Sequence, residues 1–342
     1  MLTERQQMIL LAIVDNYIQF AEPVGSRTIS KRDDIGFSSA TIRNEMADLE
    51  ELGYLEQPHT SAGRIPSNKG YRFYVDHLVS DPLRKIQEVH RIRRLFADQF
   101  FEFEQIMNHA ASILSSMTNY TSFVMGHEIN HTRLKMIQMI PLNDRSAVLI
   151  MVTDKGKVES KTIIIPEGIN KDDLQKMVNY LNTRLQGTLM AELRSRLHNE
   201  VTVEIQRYMQ DYEQILQVIE DTFKKKKDER VFMKGTTNIL MQPEFRDVEK
   251  VREILNLFEQ NEVLIRILGS RKDGIEVRIG TENNEQAISN CSIITATYHF
   301  DDKPVGTVGI LGPTRMEYGK VITILHSLSG NMTRVLQNIY KD

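Results

Sequence analysis

The stretch Asp34-Ile35-Gly36-Phe37-Ser38-Ser39-Ala40-Thr41-Ile42-Arg43-Asn44-Glu45-Met46 decides the fold of the N-terminal region. Residues 34–37 read as a tight turn, and Ser38 or Ser39 offers a helix N-cap. Ile42, Met46 and Leu49 then recur at the spacing of one buried helix face, and Gly53 fits the residue after the helix, free to take positive φ. Toward the N-terminus, Thr3 and Gln6 make a capping box, and Leu10, Ile13, Val14 and Tyr17 follow at i, i+3, i+4 and i+7. Pro23 and Gly25 end that helix, and Ser26 caps a short second one over 27–33. Toward the C-terminus, residues 54–57 and 64–66 suggest two short strands around the turn His59-Thr60-Ser61-Ala62-Gly63. Ser67 then caps a helix with Tyr71, Val75 and Leu78 on one side. Two short helices at a tight turn, followed by a small hairpin, spell a winged helix-turn-helix over residues 1–80.

The whole chain has 342 residues, 41% apolar and 26% charged. Roughly 100–200 residues per domain predicts two or three domains. The longest unbroken apolar run is 8–14, whereas a membrane span needs about 20 residues, so no membrane partner is expected. That run is also a poor signal peptide, since Glu4 precedes it and Asp15 ends it. The single cysteine, Cys291, excludes an intramolecular disulfide and fits a reducing cytoplasm. A net charge of −3 does not mark a nucleic-acid binder, so any such role must rest on local charge.

Beyond Pro82, the residues Phe96, Phe100, Phe103, Met107, Ala110, Leu114 and Met117 alternate spacings of four and three, the seam of a long helix. Strand-like runs follow at 134–140, 147–153 and 158–165, then helices at 171–184, 190–197 and 203–223. Strands return at 263–268, 275–279, 292–300 and 304–311, and a last helix covers 317–339. The expected class is α+β multidomain. One α+β domain is assembled from 83–125 and 230–342, and 130–225 is inserted into it.

The first turns of the helix after Ser38 carry the most chemistry. In a helix-turn-helix that end enters the major groove, and Ser, Thr, Arg and Asn all reach base edges or phosphates. Glu45, Asp48, Glu50 and Glu51 on the later turns would repel phosphates. Residues 1–56 hold five basic and ten acidic side chains, whereas 57–75 hold Arg64, Lys69 and Arg72 with no acid, and 84–94 hold five basic against one acidic. The cationic charge thus gathers in the hairpin and beyond it.

Other signals are weaker. His127-Glu128-Ile129-Asn130-His131 matches the zinc-protease pattern, but its strand-like flanks and adjacent Gly126 fit a boundary loop better. Gly306, Gly309 and Gly312 lack the Lys-Ser/Thr of a phosphate loop. Cys291 reads as a packed residue, the Met-rich 135–140 as core or interface, and the lysine run 224–227 as a solvated helix end. No cofactor is expected.

Several stretches together resemble the HrcA family of heat-inducible transcription repressors. They are Glu22-Pro23-Val24-Gly25-Ser26-Arg27-Thr28, Ser39-Ala40-Thr41-Ile42-Arg43-Asn44-Glu45-Met46, His59-Thr60-Ser61-Ala62-Gly63-Arg64-Ile65-Pro66, Lys69-Gly70-Tyr71-Arg72-Phe73-Tyr74-Val75-Asp76 and the segment from Ile310 to Tyr318. The resemblance implies a winged-helix domain, a GAF-like domain and an inserted dimerising domain. It implies a homodimer on an inverted-repeat operator, CIRCE, kept active by a GroEL-type chaperonin. The expected DNA contacts are Ser26, Arg27, Ser38, Ser39, Thr41, Arg43, Asn44, His59, Thr60, Ser61, Arg64, Lys69 and Arg72. Of these, Ser39, Thr41, Arg43 and Asn44 are assigned to the groove, and Arg27, Arg64, Lys69 and Arg72 mainly to phosphates. Two competing readings are a zinc hydrolase using His127, Glu128 and His131, and a winged-helix regulator whose GAF-like domain binds a small effector.

Overall fold

The computed structural model describes residues 2–59, 63–77, 92, 94, 103–126, 133–143, 145–154, 156, 158–165, 171–190, 192–197, 230–269 and 273–340. The protein is mixed α+β, and every strand pairing among the described residues is antiparallel. It divides into two compact units, one of residues 1–99, 104–126 and 229–336, the other of 100–103, 127–228 and 337–342.

The first unit opens with α1 (Glu4–Phe20), started by the capping box between Thr3 and Gln6 and buried through Ile9, Leu10, Ile13 and Val14. The helix α2 (Ser26–Ile29) is shorter than the expected 27–33, and Gly25 stands at its N-cap in place of Ser26. Beyond it the chain turns, and Arg32 folds back on Asp34, its Nε and Nη2 donating at 2.9 and 2.8 Å. Next is α3 (Ser39–Glu51), with Ile42, Met46 and Leu49 buried as the periodicity requires. Gly53 takes φ 78°, and its amide and that of Tyr54 return to the carbonyls of Glu50 and Leu49, both at 2.8 Å, closing the helix end. The short strands β1 (Leu55–Glu56) and β2 (Ile65–Pro66) pair, and Arg64 adds a backbone bridge to Val24. Ser67 Oγ accepts the Gly70 amide at 3.1 Å and starts α4 (Asn68–His77).

The rest of this unit is a five-stranded sheet in the order Arg230–Lys234, Thr121–Gly126, Lys303–Pro313, Cys291–Phe300, Ile275–Ile279. On one face Phe123, Cys291, Ile293 and Leu311 pack on the helices Val248–Glu259 and Asn261–Leu268. On the other, Ser122 Oγ donates to the Ala111 carbonyl at 2.6 Å and Ser292 Oγ lies 2.7 Å from Tyr318 Oη, seating the helices Phe103–Thr118 and Tyr318–Tyr340. Only the later part of the heptad seam, from Phe103, lies within the described residues, where Met107, Ala110 and Leu114 are fully buried.

One expected element is corrected. Residues 263–268 form a helix, not a strand. Leu264, Ile267 and Leu268 are buried at helical spacing while Arg266 faces out to Glu285 at 2.7 Å. A short apolar run has no periodicity of its own to separate the two, and here the helical layer over the sheet decides it. The strand Arg230–Lys234 and the helix Val248–Glu259, capped by Asp247, are additions to the sequence reading. The glycine series has a packing role. Gly306 pairs with Gly126 across the sheet, and a Cβ on either would stand 2.2 or 2.1 Å from Tyr298 Oη, so the tyrosine crosses the sheet only over glycine.

In the second unit, the strands Leu134–Asn143, Ser146–Thr153 and Val158–Ile164 form a sheet with the middle segment central. Its buried face, through Ile137, Leu149, Met151 and Ile163, packs on the helix Lys171–Leu185. Asn182 brackets Ile137, accepting its amide and donating to its carbonyl, both at 2.7 Å. The expected helix 203–223 and lysine run 224–227 lie outside the described residues. No helix among the described residues is long and apolar enough to cross a membrane.

Candidate nucleic-acid interface

The start of α3 is held in place by hydroxyl groups. Ser38 Oγ accepts the Thr41 amide at 3.1 Å and lies 2.9 Å from Thr41 Oγ1. Ser39 Oγ lies 3.1 Å from Ser26 Oγ, tying this turn to the first residue of α2. Ser26 is buried, so its hydroxyl serves that tie. Arg27, Ser38, Arg43 and Asn44 are exposed, while Ser39 and Thr41 are half-buried. The Arg27 and Arg43 guanidinium groups have no protein partner among the described residues. A helix N-terminus with exposed Arg, Asn and hydroxyl groups offers donors both to phosphates and to base edges.

The acids on the later turns of α3 are partly neutralised. Glu45 pairs with Arg5 at 3.3 Å, and the Arg5 guanidinium lies 5.5 Å from the Phe37 ring centroid. Glu50 Oε2 accepts a bond from Arg64 Nε at 2.7 Å, and Arg64 Nη2 lies at the same distance as an ion pair. The Arg32 guanidinium holds the Asp34 carboxyl below its ordinary range, chiefly by direct hydrogen bonding. The sequence alone assigns none of these acids a partner.

The expected phosphate contacts divide in the structure. Arg64 is engaged by Glu50. Lys69 is exposed, its Nζ donating to the Leu52 carbonyl at 2.8 Å at the C-terminal end of α3 and lying 4.4 Å from the Tyr54 ring centroid. Arg72 is turned onto the sheet body, where Glu282 and the Val277 carbonyl accept its bonds, while Asp76, one turn on along α4, accepts another at 3.2 Å. His59 is exposed at the hairpin, and Thr60 and Ser61 lie outside the described residues.

The remaining chemical candidates reduce to packing or fall outside the described residues. Cys291 is buried among aliphatic side chains, and burial pushes its thiol up to about 12, away from the reactive thiolate. His127, Glu128 and His131 lie outside the described residues. Among those described, no cluster of three His, Cys, Asp or Glu side chains is placed to hold a metal.

Comparison with known proteins agrees with the sequence resemblance. The family described as HrcA protein C terminal domain matches residues 104–322. The chain is 56% identical to the heat-inducible transcription repressor HrcA of Brevibacillus brevis, over 100% of both chains. It is 52% identical to that of Halalkalibacterium halodurans, over 100% of this chain and 99% of the relative. A crystal structure of a hypothetical protein superposes with a TM-score of 0.64 at 25% identity, covering 99% of this chain and 98% of that one. The class these relatives define is the transcription repressor, a regulator and not an enzyme. The chain belongs to the HrcA family of heat-inducible transcription repressors.

Proposed function

We propose that residues 2–77 form a winged-helix DNA-binding domain whose α3 enters the major groove by its first turns. The observation that carries this reading is the exposed Arg43 and Asn44 beside the Ser38 cap, without a side-chain partner among the described residues, with Glu45 and Glu50 behind them braced by Arg5 and Arg64. Thr41, Arg43 and Asn44 read base edges. Arg27, Lys69, His59 and the turn residues Thr60 and Ser61 meet phosphates. Ser26 and Ser39 hold the turn, Ser39 half-exposed to the groove.

Operator symmetry mirrors protein symmetry, so an inverted repeat of the CIRCE type calls for a two-fold homodimer. The sheet body around Thr121–Gly126 is a GAF-like domain, the second unit supplies the dimer contact, and the repressor works in the cytoplasm. A GroEL-type chaperonin promotes the DNA-binding form, and heat withdraws it. A gel shift on an inverted-repeat probe, with and without chaperonin at two salt concentrations, tests the reading. A retarded dimer complex, strengthened by chaperonin, is expected. Monomeric protein that ignores the probe under every condition would overturn it.

A further inference from the structure

Two of the sequence stretches that carry the family resemblance, 69–76 beyond its first residue Lys69 and 310–318, are not absorbed by a DNA interface. They meet each other. Arg72 leaves α4 and enters the sheet body. Its Nε donates to Glu282 Oε1 at 2.9 Å, its Nη2 to the other Glu282 oxygen and to the Val277 carbonyl at 2.6 Å. Arg315 runs the opposite way, from the strand-to-helix turn of the body. Its Nε donates to Glu244 at 2.6 Å and its Nη1 to the Ile18 carbonyl at 2.7 Å, in the last turn of α1 where the helix dipole is negative. Between these points, the Tyr71 and Tyr74 rings of α4 stand 5.9 and 6.5 Å from the Tyr318 ring, and Tyr71 is only 2% exposed. A single ion pair leaves rotation about itself. Two crossed guanidinium contacts on different helices, with an aromatic wedge between them, remove it.

We propose that Arg72 and Arg315 are positioning residues that touch no DNA: they fix the angle at which α3 is presented, and so select the half-site spacing at which two copies of the chain bind. The inference rests on the dimeric DNA-binding reading above. Half-sites of an inverted repeat hold a fixed helical phase, so a rigid joint transmits a spacing requirement and a loose joint averages it away.

The test uses the full chain and the variants Glu282→Gln, Arg72→Gln and Arg315→Gln. Each is titrated on three probes: the inverted repeat, the same repeat with its spacer lengthened by about two base pairs, a rotation of roughly 70°, and a single half-site. The unmodified protein is expected to prefer the natural spacing by about tenfold or more, and each variant by about threefold or less, with half-site affinity and salt slope unchanged. Glu282→Gln is the decisive variant, because it is isosteric and removes no cation that DNA could have used. Its keeping the full spacing preference would overturn the proposal. So would an Arg72→Gln salt slope flattened by about one unit while Glu282→Gln leaves the slope alone, since Arg72 would then be a phosphate contact. Failure of the unmodified protein to bind any probe would sink the DNA reading and the spacing claim with it. Amide exchange then still judges the joint: faster exchange in α4 and the last turn of α1 in Glu282→Gln, with the strand Thr121–Gly126 unchanged, supports it, and no difference refutes it.

Discussion

Arg43 and Arg72 are separated by little more than the hairpin, yet one is exposed at the start of α3 with no partner among the described residues, and the other is held by Glu282 of the body and by Asp76 of its own helix. In sequence the prospects look reversed. Arg43 lies in a strongly acidic stretch, whereas residues 57–75, which contain Arg72, hold no acid, and Asp76 is the first beyond them. In space, Glu50 reaches Arg64 and Glu282 reaches Arg72 from outside the cationic stretch, while two of the acids that follow Arg43 on α3, Glu45 and Glu50, are occupied by Arg5 and Arg64. Charge counted along a chain therefore says little about which charges are available. What decides is whether a partner carboxylate, local or remote, is folded against the group.

The contrast between a free reading face and a buried joint breaks most sharply at high pH. Burial raises the Tyr71 and Tyr318 hydroxyls above their usual range and pushes Tyr120 up to about 12 from 10.0. The neutral form is the one the fold holds, so the stability these groups confer is complete below pH 10. It is lost as pH rises from the unfolded value toward the folded ones. For Tyr120 alone the loss is about 2–3 kcal/mol by pH 12. Tyrosinate absorbance and circular dichroism followed together should show the delayed ionisation and unfolding in one step above pH 10. Ionisation of every tyrosine near pH 10 with the fold intact would mean the joint is solvated.

At the reading face, Arg43→Ala should weaken operator binding by about 1–3 kcal/mol and relax preference at one position, with the melting temperature unmoved. Equal losses on operator and random DNA would make Arg43 a phosphate contact. Ser38 sharpens the same comparison. Ser38→Ala should lower stability by about 1 kcal/mol through the lost cap. Ser38→Asp keeps a capping oxygen but sets a negative charge before the phosphates. It should therefore melt like the unmodified protein and bind DNA poorly. If both variants bind in proportion to their stability, Ser38 is structural only.

How much of this was legible follows from the range of each interaction. The capping box at Thr3, the cap at Ser38 and the positive φ at Gly53 depend on neighbours within a turn or so, and the sequence displays all of those atoms. The run 263–268 was not legible, because six apolar-rich residues suit strand and helix alike until a sheet face is there to be covered. The glycines at 306 and 126 were visible as glycines, but their reason is a tyrosine on a third strand. The joint is hidden most deeply. Arg72 and Glu282 are 210 positions apart, and Arg315 reaches Ile18 across 297. Spacing rules end at about one turn of helix, so a remote partner can take a cation from the role its neighbourhood suggests.

Lys69 lies between the two regions and carries the smallest expected effect. One of its three ammonium donors goes to the Leu52 carbonyl, where a cation complements the C-terminal end of α3. The side chain is otherwise exposed, and the remaining donors are free to meet a phosphate. Unlike Arg72, it has no paired carboxylate among the described residues. Lys69→Ala should therefore flatten the salt slope by about one unit on operator and random DNA alike, and lower stability by about 0.3–1 kcal/mol. Paired salt titrations and melting curves separate the effects. A stability loss with an unchanged slope would assign Lys69 to the fold and confine the cationic contacts to Arg27, Arg43 and the hairpin turn.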